Sequence, residues 1–176
     1  MTAFATAEDL ATFLNEEINT AQAEQALDLA SEEIRDYCGW RIDRAVETFV
    51  ADPVAGIALS LPTLKINDVT DVVMDGVALH DFGWSDAGII WRNYGWSANT
   101  RRGISVTVDH GYETPPGIVR IVTLQAASRA VSNPMGMRSI KAGEVGEVYA
   151  IPATGQAPVL MLQRVEMHIL NRYRIF

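Results

Sequence analysis

The sequence predicts an α+β fold: a helical core of about four helices, a small antiparallel β insertion, and a long loop before the C-terminal helix. Three observations lead there. Apolar residues recur at helical spacing up to residue 39, at strand spacing between about 43 and 110, and at helical spacing again from about 117. Asp75-Gly76 lies between two apolar runs, a strong signal for a two-residue hairpin turn. Gly39 and the pair Pro115-Pro116 punctuate the changes of period. We therefore expect an N-terminal helical hairpin over 1–42, a β insertion over 43–113, and a core helix, loop and C-terminal helix over 114–176 that forms one domain with the hairpin.

Thr6 fits an N-cap, with Asp9 three residues on completing a capping-box pair, and a short helix follows to about Leu14. Asn19 and Gln22 repeat the arrangement and open a second helix. Ala23, Leu27, Ala30, Ile34 and Tyr37 fall on one stripe of it, and Gly39 stands where a left-handed residue would end it. Strand candidates follow at 46–50, 57–61, 69–74, 77–79, 88–91 and 104–109. The last is the clearest, with Ile104, Val106 and Val108 on one face and Ser105, Thr107 and Asp109 on the other.

Pro116 or Gly117 starts a third helix, running to about Ser132. Val119, Val122, Ala126 and Ala130 line one face, while Ile121, Leu124, Ala127 and Val131 carry apolar character round the rest. A helix of this kind is covered by its own domain, by a neighbouring subunit, or by both. Residues 133–157 form a long Gly- and Pro-punctuated loop with one strand candidate at 145–151; loops of this length are usually functional or mobile. Pro158 fits the first position of a last helix with Leu162, Val165, Ile169 and Tyr173 as its stripe. The end of the sequence, Arg172, Tyr173, Arg174, Ile175 and Phe176, is basic and apolar.

Composition narrows the function classes. The 176 residues suit one domain with a large insertion, and 48% apolar content supports a packed core. No apolar run approaches the ~18 residues of a membrane span. The first residues lack the basic and apolar segments of a signal peptide, so the chain is expected to fold in the cytoplasm. The lone Cys38 excludes an intrachain disulfide. The net charge of −8 is carried entirely by residues 1–36, which hold nine acids and one base; the remainder is balanced. Such a surface repels nucleic-acid phosphates. It also fits a solvated helix face that aids solubility.

The residues offer no catalytic constellation. His80, His110 and His168 have no ligand spacing with each other or with Cys38, so no metal site is expected. The Asp109-His110-Gly111-Tyr112-Glu113 stretch reads as a turn between strand and helix, with Gly111 in an awkward backbone conformation and Tyr112 packing. No nucleophile elbow and no phosphate-binding glycine loop is present, and Cys38 beside a helix C-terminus and acids is core. No enzyme activity and no cofactor is expected. Trp84, Trp91 and Trp96, with Tyr94 and Phe82, fall together in the β insertion. They fill a core or interface, or make an aromatic patch that binds sugars or nucleobases.

Three stretches carry a resemblance. They are TAEDLATFLN…ALDLASEEIRDYCGW, then LPTLKINDVTDVVMDGVAL…FGWSDAGIIWR, and VTVDHGYETPPGIVRIVTLQAASRAVSNPMGMRSIKAGEVGEVYA followed by a terminal helix and RYR. In their joint order they resemble the head-to-tail connector (adaptor) family of long-tailed bacteriophages and gene transfer agents. Ile140-Lys141 is a departure, since the family often has an acid there. The resemblance implies a structural protein of the virion neck: a homo-oligomeric ring, commonly of twelve copies, docked beneath the portal protein. Such a ring extends the channel through which DNA passes without specific binding, and presents a surface to a stopper or tail protein. It implies a subunit interface at Val119, Val122, Ala126, Ala130, Arg138 and Tyr149, and portal contacts from Arg172, Tyr173, Arg174, Ile175 and Phe176. If the acidic hairpin faces the channel, Glu16, Glu17 and Glu24 line it. For the C-terminus, an anchor for the portal and a last turn folded back on its own subunit both fit the residues. The alternatives are another head-completion or tail-completion ring protein, or an aromatic-patch binding module.

Overall fold

In the computed structural model, residues 2–132, 139–142, 145–148 and 162–175 are described. The order begins with α1 (Ala7–Leu14) and α2 (Thr20–Cys38), followed by β1 (Ala45–Ala51), β2 (Ala58–Ser60), β3 (Ile66–Met74) and β4 (Val77–Ala78). Then come β5 (Gly83–Ser85), β6 (Ile89–Trp91), β7 (Ile104–His110) and α3 (Gly117–Ser132). A hairpin of β8 (Ser139–Ala142) and β9 (Val145–Val148), then α4 (Arg164–Leu170) and a 3-10 turn (Asn171–Tyr173) complete the chain. The α+β expectation holds.

The chain divides into two compact units, Met1–Cys38 with Pro116–Arg172, and Gly39–Pro115 with Tyr173–Phe176. The first is helical. The Thr6 hydroxyl accepts the Asp9 N–H at 3.2 Å and the Asp9 carboxylate accepts the Thr6 N–H at 3.0 Å, the reciprocal capping box expected of that spacing. Bonding to the Thr6 backbone N–H holds the Asp9 carboxyl below the usual carboxylate range. Asn19 accepts the Gln22 N–H at 3.1 Å at the head of α2, and Gly39, with φ +77°, ends it in the left-handed region. Leu10, Ala23, Ala26, Leu27 and Ala30 pack with Leu124, Ala126 and Ala127 in one cluster. Small residues on both α2 and α3 let the helices approach closely.

The second unit is built on β7, which pairs antiparallel with β1 on one side and β3 on the other, in the sheet order β1-β7-β3-β4. Its residues alternate between buried and half-buried along the whole strand, as the period-two pattern requires. Two irregularities in the β3 register fall at Asn67 and Thr70. Both side chains bond back, Asn67 to the Gly111 carbonyl at 2.9 Å and Thr70 to the Thr107 carbonyl at 3.1 Å. Gly111, with φ +87°, is required: a Cβ there would lie 2.5 Å from the Asp43 carbonyl oxygen. A second sheet, β2-β6-β5, carries Leu59 and Ile90 into a core shared with Trp96, Ile104, Val106 and Val108.

Two sequence expectations need correction. The expected strands at 46–50, 57–61, 69–74, 77–79, 88–91 and 104–109 all appear, but β5 was not anticipated, because Gly-Trp-Ser is too short to show a period. The last helix was expected from Pro158, a position outside the described residues; among those described, Leu162 and Gln163 are not helical. Gln163 is its extended N-cap and Arg164 its first residue. Its buried residues are Glu166 and Leu170, while Val165, expected inside, is 69% exposed. A buried glutamate hid the true face from a hydrophobicity reading. The strand expected at 145–151 is β9, ending at Val148; 149–151 lie outside the described residues.

Candidate assembly surfaces

The α3 residues expected at a subunit interface are mostly inside the chain. Val119 and Ala126 are wholly buried and Val122 is 1% exposed. They are already covered within a single copy, so their burial does not require a neighbouring subunit. Ala130 is half-buried against the helical cluster. The exposed apolar residue of α3 is Ile121, 47% exposed. Helix α3 is apolar nearly all round because it is central to its own unit. Arg138 and Tyr149 lie outside the residues whose side chains are described.

Glu16, Glu17 and Glu24 are all exposed, the first two in the α1–α2 connection and the third in the second turn of α2. Glu8, Asp28, Glu32 and Asp36 are exposed as well, so the acidic charge is a surface property. Glu33 is different. One of its carboxylate oxygens accepts the Leu162 N–H at 2.8 Å, and the other is buried without a hydrogen-bond partner among the described residues. Burial pushes its carboxyl above the ordinary range. Beside it Arg129 donates to both oxygens of Glu166, at 2.6 and 2.9 Å, and Glu166 accepts the Gln163 N–H at 2.7 Å. Carboxylates from α2 and α4 thus accept the N–H groups of Leu162 and Gln163 at the head of α4, and a guanidinium from α3 grips the second of them. This network escaped the sequence reading; its signals were an arginine in an apolar helix and a glutamate next to the expected stripe.

The C-terminal residues divide in their behaviour. The Tyr173 carbonyl accepts the Trp40 indole N–H at 2.6 Å, and its ring meets that of Tyr112 edge-on, centroids 6.3 Å apart. Tyr173 therefore packs on its own chain, as the folded-back alternative has it. Arg172 and Arg174 are exposed and Ile175 is half-buried; Phe176 lies outside the described residues.

His110 sits wholly buried at the end of β7, between the rings of Trp40 and Phe49, with its Nδ1 3.1 Å from the Thr63 hydroxyl. Burial holds its imidazole below the usual histidine range. Glu47 stands 3.4 Å from Nε2. This is a core histidine, as the turn reading of the Asp109–Glu113 stretch requires. Among the described residues no group of three His, Cys, Asp or Glu side chains is placed to hold a metal ion. No helix among them is long and apolar enough to cross a membrane.

The aromatic residues do not form one patch. Trp96 is wholly buried, its indole N–H donating to the Ile57 carbonyl at 2.9 Å. Trp84 pairs across the sheet with Ile90, whereas Trp91 pairs with Gly83 and Ala58, so these two rings belong to opposite faces. Tyr94 is 80% exposed, with the Arg92 guanidinium 5.8 Å from its ring centre.

No protein-family model matches the chain, and no curated protein matches it. Among solved structures the chain is similar to one in the neck of a native GTA (gene transfer agent) particle computed with C12 symmetry. The TM-score is 0.64 at 11% identity, over 97% of this chain and 88% of that one. It is likewise similar to a chain in the neck of an empty GTA particle computed with C6 symmetry, with TM-score 0.64 at 13% identity, over 98% and 90% of the two chains. The fold, over nearly its whole length, is one found in the necks of these particles.

Proposed function

We propose that this chain is a structural subunit of the virion neck, a head-to-tail connector (adaptor) that assembles with copies of itself into a ring beneath the portal protein. The observation that carries the reading is the near full-length fold match, insertion included, to chains in GTA particle necks. It agrees with the resemblance seen in the N-terminal helices, the β insertion and the alanine-rich third helix. Symmetric necks also fit a chain that acts through its surfaces, without a reaction or cofactor. In this reading the ring has twelve copies, continues the DNA channel and presents its far side to a stopper or tail protein. The exposed acids of the α1–α2 region, Glu16, Glu17 and Glu24 among them, line the channel and keep passing DNA from adhering. Arg172, Arg174 and Ile175 reach the portal, with Tyr173 fixing the base of that segment on its own chain.

The aromatic-patch alternative is disfavoured, because the indoles of Trp84 and Trp91 stand on opposite faces of their sheet and Trp96 is core. The other alternative, a ring protein one level further from the head, differs only in its stacking position. Native mass of the purified chain, alone and with the portal protein of the same genome, tests both. A multi-copy complex with portal is expected. A chain that binds only to a portal already carrying another ring would indicate the stopper position, and one that joins neither would overturn the neck reading.

A further inference from the structure

The four-stranded sheet ends on one side at β1, and among the described residues no strand pairs with the outer edge of β1. In an antiparallel ladder, alternate residues turn their N–H and C=O away from the partner, so such an edge is a template for another strand. Soluble proteins guard their edges with proline, lysine, a bulge or brevity. Strand β1, Ala-Val-Glu-Thr-Phe-Val-Ala, has none of these: it is seven residues long and keeps an unbroken register with β7. Its one charge, Glu47, is tied to Arg41 at 3.4 Å. The far edge of the same sheet is guarded, since β4 has two residues and β3 carries both register shifts.

The outward face of β1 adds to the contrast. Val46 is 65% exposed and Val50 47%, in line with Thr48, whose hydroxyl lies 2.9 Å from that of Thr107. Across on β7 the face continues through Ser105 and Thr107 to Asp109, whose carboxylate is held by Arg44 at 2.7 Å. From the edge to the central strand, this face therefore carries no uncompensated charge; Asp68 and Asp71 lie beyond, on β3. Copies of a chain with net charge −8 repel one another, most of all where the acids of residues 1–36 are exposed. A neutral apolar strip beside an open edge is where two such copies meet at least electrostatic cost.

We propose that β1 is a strand-addition surface through which the chain binds an extended segment of a second copy in the ring; this rests on the ring reading above. The contact is heterologous, β1 against a different part of the next copy, because β1 against β1 is twofold and closes after two copies.

The test uses the full chain, wild type and Val46→Glu/Val50→Glu, with native mass and amide exchange of the Ala45–Ala51 segment in dissociated and assembled protein. Assembly is expected to slow exchange of the outward β1 amides by about tenfold or more. The variant is expected to keep its far-UV spectrum and to lose the ring. A wild-type ring whose β1 amides exchange as fast as in the monomer, or a variant that assembles as well as wild type, overturns the edge proposal and leaves the ring standing. Wild-type protein that stops at a twofold dimer, or stays monomeric alone and with portal, overturns the ring reading and the edge contact with it. Should the variant fail to fold, the exchange comparison on wild type still decides.

Discussion

Replacing Arg129 probes a buried ionic network of the helical unit. Its guanidinium grips both oxygens of Glu166, whose side chain is 5% exposed, while Arg129 itself is 30% exposed. Arg129→Met leaves a buried carboxylate unpaired beside half-buried Glu33. Breaking a buried pair costs about 3–5 kcal/mol, and partial solvent access at the arginine reduces this to about 2–3 kcal/mol. For a chain of this size the loss corresponds to a Tm lowered by about 4–12 °C. Helix α4, seven residues long, can also relieve the strain by detaching, which would cap the global loss; amide exchange over Arg164–Leu170 then rises before the chain unfolds. Arg129→Lys keeps the charge without the fork and should cost about 1 kcal/mol. Arg129→Met with Glu166→Met removes both charges and should recover most of the loss. Thermal denaturation and exchange of Arg129→Met that match wild type, or a double variant no better than the single, would refute this account of α4.

Ala126→Glu places a carboxylate at a wholly buried position and should abolish the soluble folded chain, whereas Ile121→Glu, at a 47% exposed site, should fold normally; circular dichroism separates them. His110 has a folded pKa below its unfolded value, so its contribution is complete above the unfolded pKa and is lost as pH falls from there toward the folded one. His110→Phe should remove that slope from the denaturation midpoint measured between about pH 7.5 and 5.5. Reversing Glu16, Glu17 and Glu24 to lysine should leave stability within about 0.5 kcal/mol and create DNA binding that weakens steeply with salt in a filter or anisotropy assay.

Much of this architecture was legible because local physics decides it. The Thr6–Asp9 cap, the glycine end of α2, the Asp75-Gly76 turn and the period-two run of β7 are encoded within a few neighbouring residues each, so they read directly from the sequence. The acidity of residues 1–36 was equally plain, and the structure puts most of those carboxylates on the surface. What the sequence left open were matters of partnership between distant residues. Whether the apolar faces of α3 meet a neighbour or their own unit depends on residues a hundred positions away; Leu10, Ala23 and Leu27 decided it. Glu166 has no partner legible in the sequence until Arg129 is placed against it, and Tyr173 fits an anchor or a folded-back turn until Trp40 and Tyr112 receive it. The clustered aromatic residues of the insertion fitted a core, an interface or a binding patch; pleating sends alternate side chains to opposite faces and so splits Trp84 from Trp91. Composition and periodicity determine which residues must be buried or turned; only the tertiary structure decides against what, because burial is satisfied equally well by any surface that excludes water.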